Sequence, residues 1–336
     1  MPTPTSQDVA QRAGVSIATV SRVLNNAPHV RPAIRRKVLR AVKALNYQPN
    51  RTAQRLRARQ SKVLGLIISD IQNPFFTSVV RGIEDVASHN GYSLVLCNSD
   101  EDPEKEKVYV DVMRAEAVAG VIIASASEAQ PHIDTLLDAH IPVVALDRRI
   151  KDRRVDSVLV SNVQGAYEAV THLIERGHRY IGFIGLPLTR TTGRERFEGY
   201  QRALRQHRLP VVRARMRISD AKQQGGYVAA QDLLERQPRL TALFVANNLT
   251  TLGALQAIHE RGLRIPDDIS IVGFDDMPWA TLLHPPLTAV AQPTYELGRQ
   301  AAELLLARLK DPHKPVAHVQ LPTTLIVRGS TGAPRQ

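Results

Sequence analysis

From residue 63 onward, short apolar runs alternate with amphipathic stretches, and no other feature of the chain constrains its fold as tightly. Runs at 63–68, 94–97, 121–124 and 143–146 are separated by stretches at 75–88, 104–115 and 133–139, where apolar residues recur at helical spacing. Such an alternation predicts βαβ units and a parallel sheet. A second series follows, with strands at 157–160, 181–184, 242–245 and 269–274 and helices at 166–175, 194–206, 226–235 and 252–260. Two series of this size predict two α/β lobes. Pro285 and Pro286 interrupt the chain late, and a helix at 295–309 and a strand at 319–327 are left to rejoin the lobes. Ligands of doubly wound sheets bind beyond the carboxyl ends of the strands. The residues there are Asp70, Asn73, Phe75 and Phe76, then Asp147 and Arg148, then Asn247 and Asn248, then Asp275 and Asp276, with Gln292 beyond. Carboxylates and amides bind hydroxyls in pairs, and aromatic faces cover the C–H faces of a ring, so the set suits a polyhydroxyl ligand. Any one of them alone would read as a helix cap or loop residue.

The first 60 residues differ in character. They hold 12 Lys and Arg against one acid, Asp8, while the rest of the chain, with 32 basic and 31 acidic residues, is nearly neutral. A basic head on a neutral body predicts a polyanion partner at one end. Thr5 and Asp8 form a capping-box pattern for a helix whose Val9, Ala10 and Ala13 make a small apolar face. Gly14 breaks that helix, Val15 plugs the turn and Ser16 caps a second helix. In the second helix Val20, Val23 and Leu24 face inward, leaving Ile17, Ala18, Thr19 and Arg22 outward. Two short helices around a tight Gly turn make a helix-turn-helix. A helical hairpin inside an enzyme is the alternative, and the surrounding charge disfavours it. A third helix begins at Pro32, with Ile34, Val38, Leu39, Val42 and Leu45 on one face and Arg35, Arg36, Lys37, Arg40 and Lys43 over the rest, some of them placed for phosphates. After Pro49, Asn50 can cap a short segment with Arg51, Arg55, Arg57 and Arg59 around a lone Leu56. So short a helix needs a partner to become ordered. Otherwise it is a charged linker.

The 336 residues allow two or three domains. Cys97, the only cysteine, excludes a disulfide framework or a cysteine-based zinc site within one chain and fits a reduced compartment. The first ten residues lack the basic and apolar regions of an export signal, and no run approaches the ~20 apolar residues of a membrane span. A cytoplasmic protein is expected. No G-x-G-x-x-G follows the first strand, and neither a P-loop nor a G-x-S-x-G occurs. No catalytic residue, metal or cofactor is expected. His178, after Gly177, reads as a helix-end residue facing the dipole.

Motifs along the chain carry a resemblance: DVAQRAGVSIATVSRVLN, LNYQPNRTAQRLR, IISDIQNPFF, HLIERGHRYIGFIG, GRERFEGYQRAL, GLRIPDDISIVGFDD and PPLTAVAQP, in that order. From about Thr5 to about Gly329 the sequence resembles the LacI/GalR family of bacterial transcription regulators. The resemblance implies an all-α helix-turn-helix head at 1–48, a hinge helix or linker at 49–61, and a two-lobed α/β effector-binding and dimerisation module at 62–336 like periplasmic sugar-binding proteins. Lobe 1 would hold about 62–160 plus 293–320, and lobe 2 about 161–292 plus 321–330. A homodimer on a pseudo-palindromic double-stranded operator is implied, with the second helix in the major groove. By position, Ile17 and Ala18 match the specificity positions and Arg22 matches an Arg that reads guanine. Leu56 matches a leucine wedged between base pairs, with Ala53 and Gln54 as its minor-groove neighbours. Thr5, Ser16, Thr19, Ser21, Asn25, Asn50 and Arg57 complete the implied DNA contacts. Arg31 departs from the pattern, which usually places a capping Ser before that Pro.

In the implied effector pocket Asn73, Phe75, Phe76, Asp147, Arg148, Arg196, Asn247, Asp275 and Gln292 match. Ala221 stands where relatives often place an aromatic that stacks on the ligand, Asn248 replaces an Asp, and Ser161 replaces the Asp of a DN pair, leaving Asn162. Trp279 could supply the missing aromatic face or be a core residue. Arg190, Thr192 and Arg196 are shared with purine-responsive relatives. The implied function is a nucleoid-associated repressor controlled by a sugar or sugar derivative. A purine- or phosphoprotein-responsive regulator of the same fold, and a sugar receptor that binds no DNA, are the alternatives. No heptad helix follows Gly329, which implies a dimer and not a dimer of dimers.

Overall fold

The structure, a computed structural model, describes residues 4–24, 27, 29–47, 61–129 and 132–335. The chain divides after Ser61 into two compact units.

The first unit contains α1 (Ser6–Ala13), α2 (Ile17–Leu24) and α3 (Pro32–Ala44). The capping box is formed: the Thr5 N–H donates to Asp8 Oδ2 at 2.7 Å and the Asp8 N–H to Thr5 Oγ1 at 3.3 Å. Gly14 ends α1 at φ 64, a conformation that glycine adopts without a Cβ penalty. Ser16 Oγ accepts the Thr19 N–H at 3.2 Å and so opens α2. Val9, Ala10, Ala13, Val20, Val23, Val38 and Ala41 form the core, with Val15, Leu24, Ile34, Val42 and Leu45 packed on it. Leu39 is a correction. It is 49% exposed, because the inward face of α3 runs through 34, 38, 41, 42 and 45, and residue 39 lies about 100° round the helix from 38. Arg31 at the α3 N-cap makes no side-chain cap bond. The expected DNA contact Asn25 and the expected hinge contacts Asn50, Ala53, Gln54, Leu56 and Arg57 lie outside the described residues.

The second unit is built on two six-stranded sheets. The first holds β1 (Val63–Ile68), β2 (Ser93–Asn98), β3 (Gly120–Ile123), β4 (Val143–Leu146), β5 (Asp156–Val160) and β11 (His318–Leu321), in the order β11-β5-β4-β3-β1-β2. The second holds β6 (Ile181–Gly185), β7 (Met216–Ile218), β8 (Ala242–Val245), β9 (Ser270–Phe274), β10 (Thr288–Ala291) and β12 (Thr324–Ile326), in the order β12-β10-β9-β8-β6-β7. The two orders are the same path traced twice. All pairings are parallel except β10 with β12. Helices α4 (Pro74–His89), α5 (Pro103–Ala115) and α6 (Ile133–Asp138) belong to the first lobe, and α7 (Asn162–Glu175), α8 (Thr191–Gln206), α9 (Gln223–Arg236) and α10 (Asn248–Glu260) to the second. Every residue of β3, β4 and β8 is buried, as expected where helices cover both faces of a parallel sheet.

Two expectations are corrected. The strand at 157–160 belongs to the first sheet, where β5 pairs with β4 and β11, and not to the second series. The apolar stretch at 319–327 is two strands, β11 and β12, one in each sheet, so the chain crosses between lobes inside it. Strands β7, of three residues, and β10, shortly after Pro285 and Pro286, add to the strands read from the sequence.

The late helix α11 (Thr294–Lys310) returns to the first lobe, with Leu297, Ala301, Ala302 and Leu305 in the same core as Leu64, Leu66 and Ile83. It approaches α4 through two glycines. A Cβ on Gly82 would lie 2.2 Å from the Tyr295 carbonyl oxygen, and one on Gly298 would lie 2.1 Å from the Val79 carbonyl oxygen. Neither backbone atom can swing aside, so Gly298→Ala must push the helices apart. The expected cost is about 1–3 kcal/mol of stability for the second unit, measured as a lowered urea midpoint at unchanged m-value. An unaltered midpoint would show that the contact is looser than the structure places it.

Candidate functional site

The carboxyl ends of the strands and the N-termini of α4, α8 and α10 converge on one cleft in the second unit. Asn73, Phe75, Phe76, Asp147, Arg148, Arg190, Thr192, Arg196, Asn247, Asp275 and Gln292 line a single cavity there. Asn73 caps α4 by accepting the Phe75 N–H at 3.0 Å, and Pro74 follows at a first-turn position. That tight start puts Phe75 and Phe76 in the wall, with ring centroids 5.0 Å apart and planes at 85°. Asn247 caps α10 in the same way, accepting the Thr250 N–H at 3.0 Å. Asp147 and Asp275 occupy corresponding positions, directly after β4 and β9, at φ 64 and φ 76. Each is anchored by its own N–H, to the Val158 carbonyl at 3.0 Å and the Val290 carbonyl at 2.9 Å. The left-handed turns thus bring one carboxylate from each lobe into the cleft.

Polar contacts clasp the lobes. Asn248 Nδ2 donates to Asn73 Oδ1 at 2.8 Å, Thr191 Oγ1 donates to Glu128 at 2.7 Å and accepts the Arg149 N–H at 3.0 Å, and Arg190 lies 3.4 Å from Glu101. The cavity left between them measures about 30 Å³. That is room for on the order of one or two waters. A ring-sized ligand enters only if the lobes part.

The charges in the cleft are ordered by one another. Arg148 grips Glu101 with two bonds of 2.6 and 2.7 Å and also reaches Ser69 and the Ser125 carbonyl. Burial works against the Glu101 carboxylate, yet Arg148, and more weakly Arg190, hold its pKa below the usual range. Arg196 donates from Nε to Asn162 Oδ1 at 2.9 Å and from Nη1 to the Ala246 carbonyl at 2.7 Å, lies 3.9 Å from Asp275, and stacks on Phe274 at 3.7 Å. Burial lowers its pKa. Asp147 is the exception. Its nearest cation is Arg148 Nε at 3.6 Å, and burial pushes its pKa up to about 6 despite Arg148 and Arg196. Gln292 donates to Asp275, and its own Oε1 is buried without a hydrogen-bond partner. Acceptors on both lobes, fixed donors between them and an aromatic wall are equipment for binding a polar ring.

Trp279 does not join the site. It lies in the short turn Pro278–Thr281, half-buried against the core of the second lobe with Leu283 and Ile265. Ala221, at φ 70, does line the cavity, so no aromatic is supplied there. Glu101, Leu186, Asp220 and Lys222 also line it and were missed. Glu101, Asp220 and Lys222 follow β2 and β7, the edge strands of the two sheets. Asn162, buried between Arg196 and Glu195, was noted only as a departure. His178 is corrected: it is buried, with Nδ1 2.9 Å from Thr241 Oγ1 and Nε2 3.0 Å from the Gly332 carbonyl, and it pins the C-terminal segment instead of facing a helix dipole. Among the described residues no group of His, Cys, Asp and Glu could hold a metal ion, and no helix is long and apolar enough to cross a membrane.

In the first unit Thr5, Ser16, Ile17, Ala18 and Arg22 are exposed, and Thr19 and Ser21 are half-buried. Ile17 is 39% exposed although apolar, at the start of a helix whose opposite face is fully packed.

Comparison with known proteins agrees with both units. Residues 5–50 match the bacterial regulatory proteins of the lacI family, and residues 170–331 match the periplasmic binding protein-like domain. The ribose operon repressor of Halalkalibacterium halodurans is 39% identical over 329 residues, 97% of this chain and 97% of that protein. The lac repressor dimer bound to operator and the anti-inducer ONPF superposes with a TM-score of 0.86 at 32% identity, covering 99% of this chain and 100% of that one. A LacI family transcriptional regulator from Enterococcus faecium with bound ribose gives a TM-score of 0.74 at 30% identity, covering 81% of this chain and 100% of that one. With a helix-turn-helix head, a two-lobed ligand cleft and relatives that are repressors along almost its whole length, the chain belongs to the LacI family and is an allosteric DNA-binding transcription regulator, not an enzyme.

Proposed function

We infer that this regulator is a repressor that binds a pseudo-palindromic operator as a homodimer and is controlled by a sugar or sugar derivative held in the cleft. The observation that carries the effector reading is the pair of strand-end carboxylates, Asp147 and Asp275, facing one cavity beside Phe75 and Phe76. Ribose in the name of one relative and bound to another supports it. Arg190, Thr192 and Arg196 line the same cavity and keep a purine as the second reading. A thermal-shift screen of pentoses, hexoses, sugar acids, sugar phosphates and purines separates the two.

For the dimer, support comes from β2. This edge strand exposes Val95 at 43% and Leu96 at 40% on its two faces, with Val108 and Val112 exposed on the neighbouring α5. An apolar edge of this kind calls for cover, and a second copy provides it. The DNA contacts would be Thr5, Ser16, Ile17, Ala18, Thr19, Ser21 and Arg22 of the head, joined by Asn25, Asn50, Ala53, Gln54, Leu56 and Arg57. The work would be done in the cytoplasm, at the nucleoid.

Arg22 projects from α2, and a bidentate Arg–guanine contact is worth ~1–3 kcal/mol of discrimination. Arg22→Ala is therefore expected to collapse the ratio of operator to scrambled-DNA affinity, whereas Arg57→Ala weakens both alike and lowers the salt slope. Titrations at several salt concentrations decide. An unchanged ratio for Arg22→Ala removes it from base reading.

Asp275→Asn keeps the volume of the side chain and removes its charge. The variant should fold and bind operator like the parent, yet lose roughly tenfold or more in effector affinity, because a charged acceptor for ligand hydroxyls is gone. Calorimetry with the sugar found in the screen measures it. Parent-like binding would place the effector elsewhere.

Asp147 sets a pH dependence. Hydroxyl donors of a bound sugar stabilise its carboxylate, so the pKa falls below about 6 on binding and a proton is released. Effector affinity should be constant above pH 7 and decline as pH falls through 6. Without ligand the sign reverses: the folded pKa exceeds the unfolded value, so the group's contribution to stability is present at pH 4 and is lost as pH rises through about 6. Asp147→Asn should flatten both profiles. A parent affinity that is flat from pH 7.5 to 5 would mean the ligand does not touch this carboxylate.

A further inference from the structure

A second cavity, of about 350 Å³, lies outside the cleft on the first lobe. Its floor is one cross-strand row, in which Ala145 of β4, Ser157 of β5 and His318 of β11 are in register on neighbouring strands. His318 Nδ1 and Ser157 Oγ are 2.8 Å apart. Its rim is the loop after Asp147, which contributes Arg149, Lys151 and Arg153. Asp152 is the one carboxylate in the lining, and Arg154 already holds it at 2.6 Å. Arg149 lies 3.4 Å from Glu195 and Lys151 lies 3.5 Å from Glu128, but both carboxylates serve other donors, Asn162 in the first case and Thr191 and Arg194 in the second. Arg153 makes no hydrogen bond or ion pair among the described residues. Glu195 answers the charge of Arg149, Glu128 is shared between Lys151 and Arg194, and Arg153 has no carboxylate among the described residues, so the concavity keeps a net positive field over hydroxyl and imidazole groups.

We propose that this cavity binds a small phosphate-bearing anion through Arg149, Lys151 and Arg153, with Ser157 and His318 at its floor. The cavity is also wired to the cleft. Glu195 links Arg149 to Asn162, Asn162 accepts from Arg196, and Arg196 faces Asp275. An anion here competes with Glu195 for Arg149, the first member of that chain and a clasp between the lobes.

The test is calorimetric titration of the full chain with inorganic phosphate at constant ionic strength held by chloride. Saturable binding is expected. Arg153→Ala should weaken it about tenfold, the loss of one charge-assisted contact, and Glu195→Gln should strengthen it several-fold by freeing Arg149. Glycerol 3-phosphate distinguishes the sources: tighter binding than phosphate assigns a phosphorylated metabolite, and equal or weaker binding assigns the free ion. Non-saturating heats, or equal binding by the parent and Arg153→Ala, overturn the site. Binding that is lost in Asp275→Asn but kept in Arg153→Ala would put the phosphate in the cleft and overturn it as well, while leaving the sugar reading to its own tests.

Discussion

Arg196 is a buried cation at the floor of the cleft, and much of the second lobe is arranged to keep it there. A guanidinium removed from water must have its donors met and its charge answered. The Ala246 carbonyl at the end of β8, Asn162 at the start of α7, Asp275 after β9 and the ring of Phe274 do this together. These groups come from three separate parts of the chain, the ends of β8 and β9 and the start of α7, and α8 carries the guanidinium to them. The demand of one side chain therefore fixes the register of the site. It also ties the site to the core, since Phe274 packs within the same cluster as Phe183 and Tyr200.

The repeated sheet order gives the lobes equivalent positions and the sequence gives those positions different chemistry. Asp147 and Asp275 correspond, but the residues after them do not. Arg148 turns to Glu101 beyond β2, whereas Asp276 is held by Arg328 with two bonds of 2.7 and 2.8 Å. The first lobe thus presents a buried ion pair to the cleft, and the second keeps its counterpart at the C-terminal edge of the sheet. This asymmetry leaves Asp275 with donors from Gln292 and the Asn248 N–H, and leaves Asp147 with only a cation at 3.6 Å. Burial, answered by so few partners, raises the pKa of Asp147.

What could be read from the residues alone follows from how local the signals are. The head was legible because capping, the Gly14 turn and the spacing of Val20 and Val23 are set within a few residues, and Leu39 failed because one position of helical phase was misjudged. Strand-end residues after long runs were legible for the same reason, since 63–68 and 270–274 are unmistakable strands. Glu101 and Lys222 were not, because they follow edge strands whose role depends on the whole sheet. Trp279 could not be placed without the turn that carries it. Whether 157–160 joined the first sheet or the second is settled by its pairing with β4 on one side and with β11, some 160 residues away, on the other, and the apolar run itself does not hold that information.

The closed cleft sets what an effector must do. Arg190 to Glu101, Asn248 to Asn73 and Thr191 to Glu128 already join the lobes without any ligand. A ligand that merely replaced these contacts would leave the balance between open and closed lobes where it was. Only a difference in affinity between the two states shifts it. Under the proposed sugar reading Asp147 would supply such a difference, because its charge is buried in the closed form and would be hydrated again once the lobes part. A donor delivered to Asp147 therefore stabilises the closed state more than the open one. The clasp holds the lobes near closure, and on that reading the buried carboxylate would leave part of the favourable energy of closing to be contributed by the effector.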